Sequence, residues 1–140
     1  NDCRRNGWIQ REVVQIKFID SNIIAYAFYL NDFRDTCRNI LRKGGITTTL
    51  NLIEAFNIIE LQTKSREIAV SSIRSLLKSN LTIIEINIDN LFESLKRAEK
   101  YPKLKFIDLI YYVVALINNC ESIISYDKDF NNLEIPREEA

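Results

Sequence analysis

Val13-Val14-Gln15-Ile16-Lys17-Phe18-Ile19-Asp20-Ser21-Asn22 is the stretch that decides the fold. Val13–Ile19 is short and rich in β-branched residues, which suits a buried strand, and Asp20 ends it. The chain from Ser21 to Leu30 is then almost wholly apolar, with a stop at Asn31-Asp32. Phe33, Cys37, Ile40 and Leu41 follow at helical spacing, closed by Gly44-Gly45. This alternation of strand and helix continues along the chain.

Ile46–Thr49 predicts a second strand, and Leu50–Gln62 a helix apolar nearly all round and hence buried. Ala69, Ile73, Leu76 and Leu77 mark another helix, and Leu81–Ile86 a third strand. Leu91, Leu95 and Ala98 mark a helix capped by Asn87 or Asp89. Pro102 breaks the chain, and Ile107–Asn118 is a second strongly apolar helix. Ser122–Ser125 predicts a fourth strand and Leu133–Ile135 a small fifth. Strands alternating with helices favour a parallel sheet covered on both faces.

Composition excludes whole classes of chemistry. The 140 residues suit one domain. Nineteen basic and nineteen acidic residues cancel, which argues against a strongly basic nucleic-acid-binding surface but leaves room for a local patch. The chain has no His, which removes Ser-His-Asp triads, Cys-His nucleophiles and histidine zinc sites. Cys3, Cys37 and Cys120 are isolated, so neither a zinc knuckle nor a disulfide framework is indicated. A reducing, cytoplasmic setting is expected. The longest wholly apolar run, Leu109–Ile117, is well short of the ~20 residues that span a bilayer, so no membrane partner is expected. Met is absent even at position 1, so the chain is expected to begin after its translation start.

Four acids stand where the pattern would not put them. Ligands of such sheets bind beyond the carboxyl ends of the strands. Asp20 follows the first strand there, and Asp127 the fourth. Glu54 sits between Leu52, Ile53, Ala55 and Phe56, and Asp108 opens the run Leu109–Ile117. A carboxylate in apolar surroundings is costly unless paired or bound to a metal. Each acid also has a bland role. Asp20 and Asp127 suit turns or caps, Asn51-Leu52-Ile53-Glu54 resembles a capping box, and Asp108 suits the positive end of its helix. The four together, in this order, are harder to explain that way.

Their local strings are Phe18-Ile19-Asp20-Ser21-Asn22, Asn51-Leu52-Ile53-Glu54-Ala55, Leu104-Lys105-Phe106-Ile107-Asp108-Leu109-Ile110 and Ser125-Tyr126-Asp127-Lys128-Asp129-Phe130. In this order they resemble a PIN domain, specifically the small VapC-type toxin ribonucleases. The resemblance implies a three-layer α/β/α fold around a mostly parallel five-stranded sheet of order 3-2-1-4-5. It gives a domain over residues 16–140 and leaves residues 1–15 as an N-terminal arm or extension. It makes Asp20, Glu54, Asp108 and Asp127 the catalytic and metal-binding quartet, supported by Ser21, Asn22, Ser125 and Asp129. It implies Mg²⁺ or Mn²⁺, an RNA substrate, a cognate antitoxin and a homodimer. Lys105 departs from the small hydroxyl residue common in the family, and the arm is longer than usual.

With His absent, metal-assisted hydrolysis is the natural chemistry for these acids, and the resemblance implies RNA as its substrate. Asp20 and Asp108 are the first choices for direct ligands, and Asp127 is expected to outweigh Asp129, which is placed in a turn. Lys103 and Lys105, close before Asp108, and Arg38, in the stripe Arg34, Arg38, Arg42, are weaker candidates for substrate contact. Tyr111 and Tyr112 are expected to pack in the core or at a dimer interface. Two other readings compete: an RNA-processing nuclease without an antitoxin, and a catalytically silent PIN-like binding module.

Overall fold

A computed structural model describes residues 15–140. The arm expected over residues 1–15 falls outside the described residues except for Gln15, as do Val13 and Val14 of the first expected strand. The strands are β1 (Lys17–Ile19), β2 (Gly45–Thr48), β3 (Leu81–Ile84), β4 (Ser122–Ile124) and β5 (Arg137–Glu138). The helices are α1 (Ser21–Tyr26), α2 (Arg34–Lys43), α3 (Thr49–Thr63), α4 (Arg66–Leu76), α5 (Ile88–Arg97) and α6 (Phe106–Ile117). Short 3₁₀ turns follow α5 at Ala98–Lys100 and β4 at Lys128–Phe130.

The sheet runs β3-β2-β1-β4-β5, every pairing parallel, as the resemblance implies. Adjacent strand residues point to opposite faces, so one short strand feeds two cores. Ile19 and Ile124 pack with Ile23, Ile24, Leu52 and Ile59 beneath α1 to α4. Phe18 and Ile123 pack with Leu109, Val113, Phe130 and Ile135 beneath α6. This is the three-layer arrangement. A Cβ at Gly45 would stand 2.8 Å from the Lys17 carbonyl oxygen, so only glycine lets β2 start this close to β1.

Two expectations need correction. The fifth strand is Arg137–Glu138 rather than Leu133–Ile135. Ile135 packs into the core instead, and pairing with β4 begins where the Pro136 carbonyl accepts from Ile123 N at 2.9 Å. Helix α3 is not buried all round: Leu52, Ala55 and Ile59 face inward, while Ile53 is 58% and Leu61 73% exposed. Leu91 and Leu95 lie on α5 as expected, with Asn87 as its cap, yet both side chains face solvent.

Candidate active site

The parallel sheet gathers its carboxyl ends on one edge, and the acids arrive there from separate elements. Asp20 ends β1 and caps α1, its Oδ1 accepting from Ser21 N at 2.8 Å. Its other oxygen accepts from Ser125 Oγ at 2.6 Å, just past β4. Asn22 Nδ2 lies 3.5 Å from the same oxygen. Backbone bonds fix this register: Asp20 N donates to the Ile124 carbonyl at 3.0 Å, and Thr47 Oγ1 to the Ile19 carbonyl at 2.8 Å. Ser21, Asn22 and Ser125 therefore all stand beside Asp20.

Helix α3 begins one turn earlier than the capping-box reading of Glu54 requires. Thr48 is the N-cap and Asn51 occupies N3, each side chain bonding the other's backbone N–H. Glu54 is thus released from capping and lies further along the helix at the cleft wall. Its Oε1 accepts from Ser21 Oγ at 2.6 Å and from Tyr111 Oη at 2.7 Å. Asn51 Nδ2 in turn donates to Ser21 Oγ at 2.9 Å. Asn51 and Tyr111 are both fully buried, and the sequence reading assigned neither to the site. The only signal for Tyr111 is its spacing, three residues after Asp108 on one helix face. Tyr111 and Tyr112 do pack in the core as expected. Burial, followed by the neighbouring Glu54 carboxylate, raises the Tyr111 hydroxyl far above its ordinary value, which keeps it a neutral donor.

Asp108 lies in the first turn of α6 and is 9% exposed. Among the described residues no protein group hydrogen-bonds its carboxylate. Burial first, then the charges of Asp20, Asp127 and Glu54, raise Asp108 to about 7. Asp20 is raised to about 6, mainly by burial and in spite of its bonds from Ser125 and Ser21. Asp127 follows β4 in extended conformation and reaches the same cleft. The turn after it is closed by Asp127 rather than by the expected Asp129: Asp127 Oδ1 accepts from Asp129 N at 2.9 Å. Asp129 is left with its carboxylate free to approach the others.

Asp20, Glu54, Asp108 and Asp127 line one cleft of about 410 Å³, together with Ser21, Asn22 and Lys105. Asp108, Asp127 and Asp129 each offer a carboxylate oxygen, and these lie within 4.8 Å of one another. An all-oxygen donor set in which Asp20 and Asp108 have raised proton affinity, and in which Asp108 has no partner among the described residues, fits a hard divalent cation. Lys103 lines a neighbouring groove instead. Arg38 lines neither; its Nε donates to the Ala27 carbonyl at 2.8 Å and braces the turn between α1 and α2. Among the described residues no helix is long and apolar enough to cross a membrane.

Comparison with known proteins agrees with this fold. No curated protein sequence matches the chain. Among solved structures, the chain is similar to Mycobacterium tuberculosis VapC20, a toxin that cleaves the sarcin–ricin loop. The TM-score is 0.72 at 13% identity, covering 85% of this chain and 95% of that one. It is also similar to VapBC2 from Rickettsia felis, solved bound to a DNA fragment from its promoter. There the TM-score is 0.68 at 20% identity, covering 89% and 98%. At these identities the likeness shows the fold. The PIN-domain profile matches residues 17–136, nearly the whole described chain, and the protein belongs to the PIN-domain family.

Proposed function

We propose that the protein is a metal-dependent endoribonuclease and the toxin of a toxin–antitoxin pair. One observation carries the reading: four carboxylates far apart in sequence meet in one cleft at the carboxyl edge of the sheet. Burying like charges together is unfavourable for folding, so a ligand that offsets them is expected. Asp20, Asp108 and Asp127 would hold Mg²⁺ or Mn²⁺, with Asp129 beside them and Glu54 completing the site. When bound, such a cation supplies an acidified water and shields charge on the phosphorus. Glu54 is oriented by Ser21 and Tyr111, which occupy Oε1 and leave Oε2 without a partner among the described residues. Ser125 Oγ links Asp20 to the backbone N–H of Asp127, so the two acids are positioned together. Lys105 is the one basic residue among the described lining residues of the cleft and would meet a substrate phosphate.

RNA as substrate is supported by the likeness to VapC20, and an antitoxin partner by the likeness to VapBC2. A homodimer in the cytoplasm belongs to the same reading. The test is hydrolysis of a panel of structured RNAs by pure protein. Cleavage in Mg²⁺ or Mn²⁺ that EDTA stops and Mn²⁺ restores is the expected result. Undiminished cleavage in EDTA would refute the metal dependence, and no cleavage of any RNA would refute the nuclease.

A further inference from the structure

A second cleft of about 500 Å³ opens beside the acidic one. The chain between α5 and α6 frames one side of it, and the turn after β4 the other. The two clefts share a rim. Lys103 lines the second cleft and Lys105 the first, while Lys128 and Asp129 line the second directly after Asp127 of the first. Its volume lies within the roughly 300–1,000 Å³ common for ligand clefts.

Its chemistry is opposite to that of its neighbour. Lys100, Lys103 and Lys128 line it, and Asp129 is the one acid among its described lining residues. Lys103 and Lys128 form no ion pair among the described residues. Lys100 has only a 3.8 Å approach to Glu134, with both side chains 68% exposed. The remaining wall is apolar and anchored to the core: Tyr101, Leu104 and Leu133 are half-buried, and the Tyr101 ring stands edge-on to buried Tyr112 at 5.5 Å. Asn132, held at φ 64° on the rim, has a side-chain amide with no hydrogen bond among the described residues.

We infer that this groove is a nucleotide subsite for single-stranded RNA, holding a nucleotide that flanks the scissile phosphate. The inference rests on the nuclease reading and extends it to substrate contact. Lys103 and Lys128 meet the backbone phosphate, the wall of Tyr101, Leu104 and Leu133 packs against the base, and the Asn132 amide meets the base edge. An acidic peptide would satisfy the lysines but leave that wall and the free amide without a partner.

The test is fluorescence anisotropy on the full chain carrying Asp108→Asn, which keeps the probe from being hydrolysed. The probes are labelled 12-nucleotide oligo(A) and oligo(U), and a labelled 12-residue polyglutamate. Adding Lys103→Gln and Lys128→Gln is expected to weaken both RNAs about tenfold and to lower the salt slope by about 1.4, the value for two lost phosphate contacts to a single strand. Asn132→Gly, which keeps the left-handed backbone, is expected to change the oligo(A) to oligo(U) affinity ratio without changing the salt slope. Equal RNA affinity with and without the two lysines overturns the subsite, as does no RNA binding by the parent or a loss confined to polyglutamate. An unchanged ratio in Asn132→Gly overturns the base contact. Cleavage assays keep the two readings apart. A protein that cleaves RNA with Mn²⁺ while its RNA affinity ignores both lysines refutes only the subsite. One that binds through the lysines but cleaves nothing refutes only the nuclease.

Discussion

The two adjoining clefts are built on different principles. Residues of the acidic cleft come from β-strand ends, α1, α3 and α6, and its carboxylates are buried or half-buried, with Asp20 and Glu54 tied by short hydrogen bonds. The basic groove comes from two connecting segments, and its lysines are exposed on flexible stems. On the proposed reading, charge that acts on a reacting centre is held rigidly, at a cost in stability, and charge that only attracts a polyanion is left in water, where it costs little and salt screens it. Substitutions in the first cleft should therefore alter chemistry and stability together, and those in the second only affinity and its salt dependence.

The largest separation is expected from Asp108→Asn. The carboxylate has no protein partner among the described residues, so its loss should leave the fold intact and lower RNA hydrolysis by on the order of 10³-fold, about 4 kcal/mol of transition-state stabilisation. Single-turnover cleavage in Mn²⁺ measures this. Retention of most activity would remove Asp108 from the site. Within the same cleft, Asp127→Asn should exceed Asp129→Asn. Asp127 lines the cleft and also receives the turn bond from Asp129 N, whereas Asp129 contributes one oxygen from the rim. For Asp129→Asn a loss of about 10–100-fold is expected, the range typical of supporting groups around a metal. Equal losses would make Asp129 a full member of the cluster, and Mn²⁺ calorimetry on both variants separates the cases.

How much of this was legible in the sequence follows the same division. Asp20 and Asp127 were readable because parallel strands deliver their successors to one edge, and Asp108 because an acid beside a long apolar run is anomalous. The fold was readable because strand and helix alternate. Tyr111 was hidden because a tyrosine in an apolar helix looks like core packing, and its ring is indeed core; only its hydroxyl reaches Glu54. Glu54 looked like a cap because its local string imitates a capping box, and only the position of Thr48 resolves the phase. Leu133–Ile135 looked like a strand because apolarity does not say whether a segment pairs or packs. Likewise Ile53, Leu61, Leu91 and Leu95 show that an apolar residue need not be buried.

Tyr111→Phe tests how far rigidity matters in the acidic cleft. The variant keeps the ring against Phe18 and removes one of the two bonds to Glu54 Oε1. Hydrogen bonds to a charged group contribute about 1.5–3 kcal/mol, so kcat should fall roughly 10–100-fold. KM should stay unchanged, because Tyr111 is fully buried and lines neither cleft. A rise in KM with unchanged kcat would move Tyr111 from positioning Glu54 to shaping the substrate path.

The smallest effect is the one that shows the cost of the acidic cleft most directly. Asp20 is raised to about 6 and Asp108 to about 7, from an ordinary value of 3.8. A carboxyl whose proton affinity is higher in the folded state than in the unfolded one favours folding fully at pH below about 4. That contribution is lost as pH rises through about 6 and then 7. In EDTA the melting temperature should therefore fall between pH 4 and pH 7.5, and Mn²⁺ should reverse the fall. Asp108→Asn removes the more strongly shifted group. At pH 7.5 in EDTA it should melt roughly 3–8 °C above the unmodified chain, the shift that about 1–2 kcal/mol gives in a domain of this size. Its melting temperature should also depend less on pH. The opposing term is Asp108's place in the first turn of α6, where a negative charge is favoured by about 0.3–1 kcal/mol. That term is smaller than the combined cost of burial and of the charges on Asp20, Asp127 and Glu54, so the sign should be stabilising. Lys103→Gln and Lys128→Gln should leave melting unchanged over the same pH range. If Asp108→Asn melts lower instead, the helix end outweighs the buried repulsion, and the acidic cleft carries no stability cost at Asp108.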